Sequence, residues 1–197
     1  MVPQIWLFTA ILFCIVTGVY GINFWLPTII AETGIKSVLT VGLITAACYF
    51  SSAVLSVLIT RHAERRNEKR WHACGAAVIG GLSLAASAAW PHNVVLTAVL
   101  LSMATTGALV ASALFWSFPG SLLAGAGVAG GLATIKSFGN LGGFLGPYLL
   151  GVLSTWFGTR TAGVAVLGAF MVSAGLLIAA RCGSYGLRDH PPGAPRN

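Results

Sequence analysis

Apolar residues occur along this chain in long continuous runs, separated by short polar segments. Six runs are long enough to cross a membrane, at 4–30, 38–60, 73–90, 94–116, 127–151 and 162–180. A helix rises about 1.5 Å per residue and the hydrocarbon core of a bilayer is about 30 Å thick, so roughly 20 residues suffice. The runs are rich in Ala, Leu and Gly and lack the alternation of barrel strands. The pattern predicts an all-α membrane protein with six transmembrane helices.

The composition agrees with a chain that folds in lipid. Of its 197 residues, 56% are hydrophobic and 8% are charged. The 11 Lys and Arg residues and the 4 Asp and Glu residues are too few to cover the exterior of a water-soluble domain. The net charge of +7 does not indicate nucleic-acid binding, because the basic residues lie at the ends of the apolar runs. We therefore expect the lipid bilayer as a partner and no nucleic acid.

Lys and Arg are divided unequally between the two ends of the predicted helices. The end that holds both termini collects these basic residues: Arg61, Arg65, Arg66, Lys69, Arg70, Arg181, Arg188 and Arg196. The opposite end has Lys36 and Arg160. The positive-inside rule predicts a multi-pass protein of the cell membrane, the inner membrane of a bacterium, with both termini cytoplasmic. We predict a six-helix domain over 1–182 and a disordered, Pro- and Gly-rich cytoplasmic tail over 183–197.

The first run contains the segment TGVYGINFWLPTII, which predicts a kink or local break between Gly21 and Pro27. Glycine loosens a helix, and proline removes one of its backbone hydrogen bonds. Tyr20, Asn23 and Phe24, at spacings of three and four, would then share one face. Broken helices occur at membrane depth where they line a cavity, so Tyr20 and Asn23 are candidate substrate-binding residues. Ordinary helix packing, with Asn23 bonded to a neighbour, explains the segment equally well.

Lys136 lies inside the apolar run GLATIKSFGNLGGFLGPYLLG, near the middle of the fifth predicted helix. A lone cation at that depth costs about 2.5 to 3.5 kcal/mol on insertion scales. The acidic residues of the chain all fall outside the apolar runs: Glu32, Glu64, Glu68 and Asp189. Three interpretations are open. The side chain extends to the headgroups, it pairs with a carboxylate outside this chain, or it faces a central cavity and meets an anionic substrate.

The neighbours of Lys136 favour the cavity. Asn140 lies one turn further along the same helix face. The surrounding glycines allow another backbone or a ligand to approach closely: Gly139, Gly142, Gly143 and Gly146. Plain packing of one helix on another accounts for most of these glycines, and packing and binding are compatible. We predict Lys136 and Asn140 as substrate-binding residues.

The segment RHAERRNEKRWH, residues 61–72, is the dense charge cluster of the sequence. On composition it is a positive-inside loop, and Asn67 suits its tight turn because Asn tolerates the left-handed region. The segment resembles the loop between the eighth and ninth helices of the major facilitator superfamily, specifically the anion:cation symporter family of organic-anion transporters. The matching positions are Arg61, His62, Arg65, Glu68, Arg70, Trp71 and His72. Glu64, Asn67 and Lys69 replace the Asp, Gly and Arg of that pattern and keep its charge and turn character.

Three further stretches are similar to the same family. NFWLPTII looks like its seventh helix, LFWSFPGSLLAG like the end of its tenth, and SFGNLGGFLGPYLLG like its eleventh. The resemblance implies the C-terminal six-helix half of a twelve-helix transporter, with the N-terminal half absent. It also implies that Trp116 contributes to the cavity wall, whereas position alone indicates an interface anchor. Related transporters have Asn where this chain has Lys136, so we expect a more anionic substrate than their sugar acids or hydroxycarboxylates.

The predicted function is membrane transport of a small organic anion, a carboxylate or sugar acid, by alternating access around a midplane site. Coupling to protons or sodium would come mainly from the other half, because the apolar runs contain no Asp or Glu. The expected partners are the substrate, the bilayer, and a missing N-terminal half or a second copy. We expect no cofactor and no metal.

The sequence also bears on two other classes of function. An enzyme is not expected, because the histidines lie in loops or at helix ends and the sequence contains no GxSxG or HExxH motif. The cysteines show no CxxC spacing and are interpreted as packing residues. The alternative function is that of a truncated or split-gene remnant that acts only as an assembly partner. Met1, directly before the first run, fits an internal start or a truncated reading frame.

Overall fold

The computed structural model describes residues 2–90, 92–122 and 128–181, and all regular secondary structure in these ranges is α-helical. The helices in this part of the chain are α1 Val2–Ala31, α2 Val38–Arg66, α3 Lys69–Ser87, α4 Val94–Phe115, α5 Ser117–Leu122, α6 Val128–Gly139, α7 Gly142–Phe157 and α8 Thr161–Arg181. The predicted all-α class is confirmed. The tail predicted over 183–197 lies outside the described residues.

The helices combine into six membrane-crossing units in the described chain. Four segments are long and apolar enough to span a bilayer by length and composition: Pro3–Ala31, Val38–Arg66, Val94–Pro119 and Thr161–Arg181. Helix α3 has 19 residues. This corresponds to about 28 Å, close to the thickness of the hydrocarbon core. Helices α6 and α7 together correspond to the fifth predicted run, and α7 continues beyond its end to Phe157.

Polar residues determine where several helices begin and end. Ser37 precedes α2, and its Oγ accepts a hydrogen bond from the Thr40 amide at 3.3 Å. Asn93 caps α4 in the same way, because its Oδ1 accepts from the Leu96 amide at 3.0 Å. Asn67 ends α2 with φ 56°, in the left-handed region. The predicted role of Asn67 in the tight turn between α2 and α3 is confirmed.

Of the kink or local break predicted in the first run, the break is wrong, and the kink stays a prediction. Helix α1 continues from Val2 to Ala31 with Pro27 inside it. A proline removes only one amide donor, and packing against neighbouring helices can hold the rest of the helix together. Near this point, the Trp25 Nε1–H donates to the main-chain carbonyl of Pro147 in α7 at 3.2 Å. This hydrogen bond ties the proline-containing part of α1 to α7.

A helix interruption is present instead in the fifth run, 127–151, for which the sequence predicts one continuous helix. Asn140 and Leu141 form a turn between α6 and α7. The Asn140 amide still donates to the carbonyl of Lys136 at 3.0 Å, but the Leu141 amide donates to Phe138 at 3.2 Å, only three residues back. The Gly143 amide likewise donates to Asn140 at 2.9 Å. The backbone is therefore tightened over one turn and is not unwound.

Helix α1 lies in the middle of the bundle. It contacts α2, α4, α6, α7 and α8, and its fully buried side chains include Phe8, Ile11, Leu12, Ile15 and Leu26. Helix α3 packs between α4 and α8, and α2 packs mainly on α4. Helix α2 keeps most of its large apolar side chains exposed. This arrangement leaves wide apolar surfaces for lipid or for further helices.

Two glycines allow the backbone of α7 to lie directly on α1. A methyl group at Gly142 would collide with the carbonyl oxygen of Phe13, and one at Gly146 with the carbonyl oxygen of Thr17. Both obstacles are main-chain atoms, so no flexible side chain can move aside to make room. The close contact of α1 and α7 therefore depends on Gly142 and Gly146.

A polar cluster joins three segments at the end of the bundle opposite to residues 61–72. Arg160, between α7 and α8, forms an ion pair with Glu32, directly after α1, with 2.9 Å between Nη2 and Oε1. The guanidinium also lies over the ring of Trp25, 4.7 Å from its centroid. Helix α1 and the connection from α7 to α8 are therefore tied together at this end.

Replacing Gly146 by Ala is expected to weaken the contact between α1 and α7, because the added methyl group meets the Thr17 carbonyl oxygen. We expect the free energy of unfolding to fall by about 1–3 kcal/mol. The melting temperature of the purified protein in detergent, followed by circular dichroism, measures this loss. Gly130→Ala on α6 is the matched control, since the space around its Cβ position is open. Equal melting temperatures for the two variants would contradict this role of Gly146.

Candidate substrate site

Lys136 and Trp116 form the first part of the candidate site. Lys136 lies in the last turn of α6, and its side chain is exposed. Trp116 directly follows α4 and is 39% exposed. The Lys136 Nζ lies 5.7 Å from the centroid of the Trp116 ring, within the range of a cation–π interaction. The structure thus brings these two predicted site residues together.

No carboxylate of the described residues lies beside the Lys136 ammonium. The acidic side chains in these residues lie elsewhere, since Glu32 pairs with Arg160 and Glu64 and Glu68 are exposed beside the turn from α2 to α3. The favourable contact of the ammonium in this part of the chain is the one with the Trp116 ring.

The contact with Trp116 bears on two of the three interpretations of Lys136. Trp116 ends α4, so the ammonium reaches the level of that helix end, as expected for a side chain that extends towards headgroups. Both residues are exposed, as also expected if they face a cavity shared with another helical half. The assignment of Lys136 to substrate binding stays a prediction.

Four exposed residues follow one another at intervals of four from α6 to α7: Lys136, Asn140, Phe144 and Tyr148. Side chains at this spacing share one side of a continuous helix, which applies to Phe144 and Tyr148 within α7, whereas the turn at Asn140 and Leu141 separates them from Lys136. The rings of Phe144 and Tyr148 are stacked, with 5.5 Å between centroids and an interplanar angle of 16°. We call these four residues the stripe, which in sequence order has a cation, an amide and a stacked aromatic pair.

Tyr20 and Asn23 line a groove of about 580 Å³ between α1 and α7. The other lining residues are Phe24, Gly143, Phe144, Pro147 and Tyr148. Tyr20, Asn23 and Phe24 are all exposed, so the shared face predicted for them is present without a break in the helix. A carbon atom added at Gly143 would lie 3.3 Å from the Tyr20 ring. The small residue therefore lets Tyr20 lie close to the α7 backbone.

Asn23 is held by Tyr49 of α2, a residue that the sequence analysis did not select. The Tyr49 hydroxyl donates to Asn23 Oδ1 at 3.1 Å and lies 3.3 Å from the main-chain carbonyl oxygen of Asn23. This bond agrees with the packing interpretation of Asn23, although the residue is also exposed to the groove. Phe144 and Tyr148 were missed as well. Their four-residue spacing from Lys136 is the signal that could have identified them.

The candidate residues form two groups of exposed side chains. Lys136 and Trp116 are in contact, and Tyr20 and Asn23 line the groove, whereas Lys136, Asn140 and Trp116 lie outside the groove lining. The stripe contributes Lys136 to the first group, and Phe144 and Tyr148 to the second. We use the term site face for the surface made by Tyr20, Asn23, Trp116, Lys136, Asn140, Phe144 and Tyr148. This chain leaves the site face uncovered.

The site face combines three kinds of binding group. Lys136 offers a positive charge, Asn140 and Asn23 offer amide groups, and the aromatic rings offer apolar surfaces. Such a set suits a small molecule with an anionic end and an apolar or hydroxylated body. Within the described ranges, His, Cys, Asp and Glu side chains form no group of three or more that could hold a metal ion.

Comparison with protein families defines the class of this chain. The family model described as Major Facilitator Superfamily matches residues 1–147. The chain therefore belongs to the Major Facilitator Superfamily. No solved structure gives a significant match to the chain.

The curated relatives that the chain matches are named as transport proteins. The chain is 31% identical over 177 residues to "Putative metabolite transport protein NicT" of Pseudomonas putida, a match that covers 89% of this chain and 40% of the relative. It is 37% identical over 166 residues to "Putative tartrate transporter" of Agrobacterium vitis, covering 83% and 36%. It is 32% identical over 155 residues to "Quinolone resistance transporter" of Acinetobacter baumannii, covering 79% and 36%. The chain thus spans less than half the length of these relatives.

Water access distinguishes a cavity from a lipid-facing surface. We expect Asn140→Cys and Phe144→Cys to react with a water-soluble maleimide when the chain is co-expressed in membranes with a candidate N-terminal half. Leu176→Cys on α8 is the matched control, since Leu176 is apolar, 58% exposed and outside the site face. The native cysteines are first replaced by Ala: Cys14, Cys48, Cys74 and Cys182. Labelling of Leu176→Cys as fast as that of Asn140→Cys would contradict a water-filled site face.

Proposed function

We propose that this chain is one six-helix half of a secondary transporter that moves a small organic anion across the membrane by alternating access. The observation that carries the proposal is the exposed Lys136 ammonium, which lies over Trp116 and begins the stripe whose aromatic pair lines the groove. A substrate carboxylate would supply the negative charge that the described part of this chain does not place beside Lys136.

The nature of the site face supports an organic anion over an inorganic one. An ammonium and two asparagine amides can bind carboxylate and hydroxyl oxygens, and the neighbouring rings can pack against a carbon skeleton. The name of one relative specifies tartrate, a dicarboxylate with hydroxyl groups. The name of this relative and the resemblance of the segment 61–72 to the anion:cation symporter family support our proposal that the chain belongs to that family. They also favour a carboxylate or sugar acid as the substrate.

Partial coverage of the relatives supports a transporter of two six-helix halves. The matches cover 36% to 40% of the relatives described above. The site face is uncovered, and a second six-helix unit would enclose it near the middle of the membrane. We propose an N-terminal six-helix half as the partner, with a second copy of this chain as the alternative. Proton or sodium coupling is assigned to that partner, because the described acidic residues of this chain lie outside the site face.

A transporter half also accounts for the other features of the chain. The relatives are named as transport proteins, and we propose no enzymatic activity and no cofactor for this chain. We also propose that the segment 61–72 and both termini lie on the cytoplasmic side of a bacterial inner membrane, which the basic residues of 61–72 favour by the positive-inside rule.

The second candidate function is that of a remnant without transport activity of its own. This hypothesis makes a different prediction for transport by the chain. Uptake of labelled organic acids by liposomes distinguishes the candidates, with the chain alone, a candidate N-terminal half alone, and both together. Uptake only with both halves supports the transporter. Absence of uptake in every combination, with both halves correctly inserted, supports the remnant.

Lys136→Gln is expected to reduce substrate uptake by the two-half transporter by about tenfold or more, because a hydrogen bond to a charged group contributes roughly 1.5–3 kcal/mol. Uptake of radiolabelled dicarboxylates by liposomes measures the change. Lys36→Gln is the matched control, because Lys36 is an exposed lysine in the connection between α1 and α2. Unchanged uptake of every candidate dicarboxylate by Lys136→Gln would refute the assigned role.

A further inference from the structure

A second groove, of about 490 Å³, lies between α2, α3 and α4, away from the site face. Its walls are apolar side chains from all three helices, among them Leu55, Ile59, Ile79 and Met103. The site face is built by α1, α6, α7 and the end of α4, whereas α3 packs between α4 and α8. A partner that covers the site face would therefore leave this second groove on another flank of the bundle. We call it the flank groove.

The flank groove exists because small residues stand where its floor would otherwise be filled. Gly75 and Ala76 of α3 and Gly107 of α4 line it. A Cβ atom added at Gly75 would meet nothing within 4 Å. The large side chains at its sides are exposed, since Ile79 is 54% and Leu55 45% accessible. An exposed apolar channel of this kind suits an acyl chain better than a polar solute.

Aromatic and basic groups lie at one end of the flank groove. Trp71 and His72 line that end, and the His72 ring lies 5.4 Å from the His62 ring between centroids. The Arg70 guanidinium lies 5.0 Å from the centroid of the Trp71 ring. The segment 61–70 contains five basic and two acidic residues. Tryptophan side chains are enriched at the level of the headgroups, and basic clusters beside transmembrane helices attract anionic lipids.

We infer that the flank groove binds one anionic phospholipid, with an acyl chain along the apolar walls and the phosphate beside His62, His72 and the basic residues of 61–70. The excess of basic over acidic side chains in 61–70 favours an anionic headgroup, and His72, whose Nδ1 lies 2.9 Å from the Glu68 carbonyl oxygen, lines the groove beside that segment. Histidine and arginine side chains can donate hydrogen bonds to phosphate oxygens. The lipid would lie in the leaflet that contains the turn between α2 and α3. This inference goes beyond the proposed transport function and does not depend on the substrate.

The decisive variant is Gly75→Leu, which fills the groove from its floor. Gly42→Leu is the matched control, because Gly42 is an exposed glycine on α2 with open space around its Cβ position, near the other end of that helix. The full chain is reconstituted with equal amounts of phosphatidylglycerol and phosphatidylcholine that carry the same acyl chains. Native mass spectrometry then counts the lipids that remain bound. Circular dichroism melting curves verify that both variants are folded.

We expect the unmodified chain and Gly42→Leu to retain one phosphatidylglycerol in preference to phosphatidylcholine. We expect Gly75→Leu to retain it about tenfold less. Equal retention of phosphatidylglycerol by Gly75→Leu and Gly42→Leu would overturn the inference, and so would equal retention of the two lipids by the unmodified chain. Loss of the bound lipid when a candidate N-terminal half is added would show that the groove is a protein interface, which also overturns it.

A second pair of variants tests the headgroup without altering the apolar walls. The double variant His62→Gln/His72→Gln is expected to lower the preference for phosphatidylglycerol over phosphatidylcholine by about threefold to tenfold, because ring donors to the phosphate are lost. His92→Gln is the control, since His92 is exposed at the opposite end of the bundle. An unchanged preference in the double variant would overturn the placement of the phosphate.

Discussion

The contact between the backbones of α1 and α7 determines the geometry of the groove that Tyr20 and Asn23 line. Gly142 and Gly146 have no side chains to separate the two helices, and the Phe13 and Thr17 carbonyls occupy the space that methyl groups would need. Because of this contact, residues of α1 and α7 can line a single groove. The same glycine-rich segment contains the turn that ends α6 shortly after Lys136. Packing and binding are therefore properties of one stretch of sequence.

The contact with Trp116 determines the surroundings of Lys136. The ammonium lies 5.7 Å from the centroid of the ring, level with the end of α4. A cation–π contact lowers the cost of the charge without neutralising it. The described acidic side chains lie elsewhere, so the positive charge of Lys136 stays available on the exposed surface.

The sequence was sufficient to predict the class and much of the topology, because both follow from local patterns. The apolar runs predicted the membrane-crossing units, and Asn67 predicted the left-handed turn after α2. The position of the helix interruption could not be read locally. Pro27 disrupts a helix by itself, but α1 is surrounded by other helices, whereas the interruption at Asn140 accompanies the packing of α7 on α1. Lys136 contacts Trp116, and Asn23 contacts Tyr49. Both contacts join distant parts of the chain, so a local sequence pattern cannot predict them.

The cluster around Arg160 has a mechanical consequence for the bundle. One guanidinium bonds Glu32 and covers Trp25, and the indole of Trp25 in turn donates to Pro147. The Trp25 indole of α1 therefore contacts both the middle of α7 and the segment leading into α8. Splaying these helices apart at that end would have to rupture an ion pair, a ring contact and a hydrogen bond together. Helix α2 is joined to the bundle by different contacts, since the Tyr49 hydroxyl donates to Asn23 of α1 and the Ser52 hydroxyl donates to the main-chain carbonyl of Ser102 in α4. The end at Arg160 and the middle of the bundle are therefore held by independent sets of polar contacts.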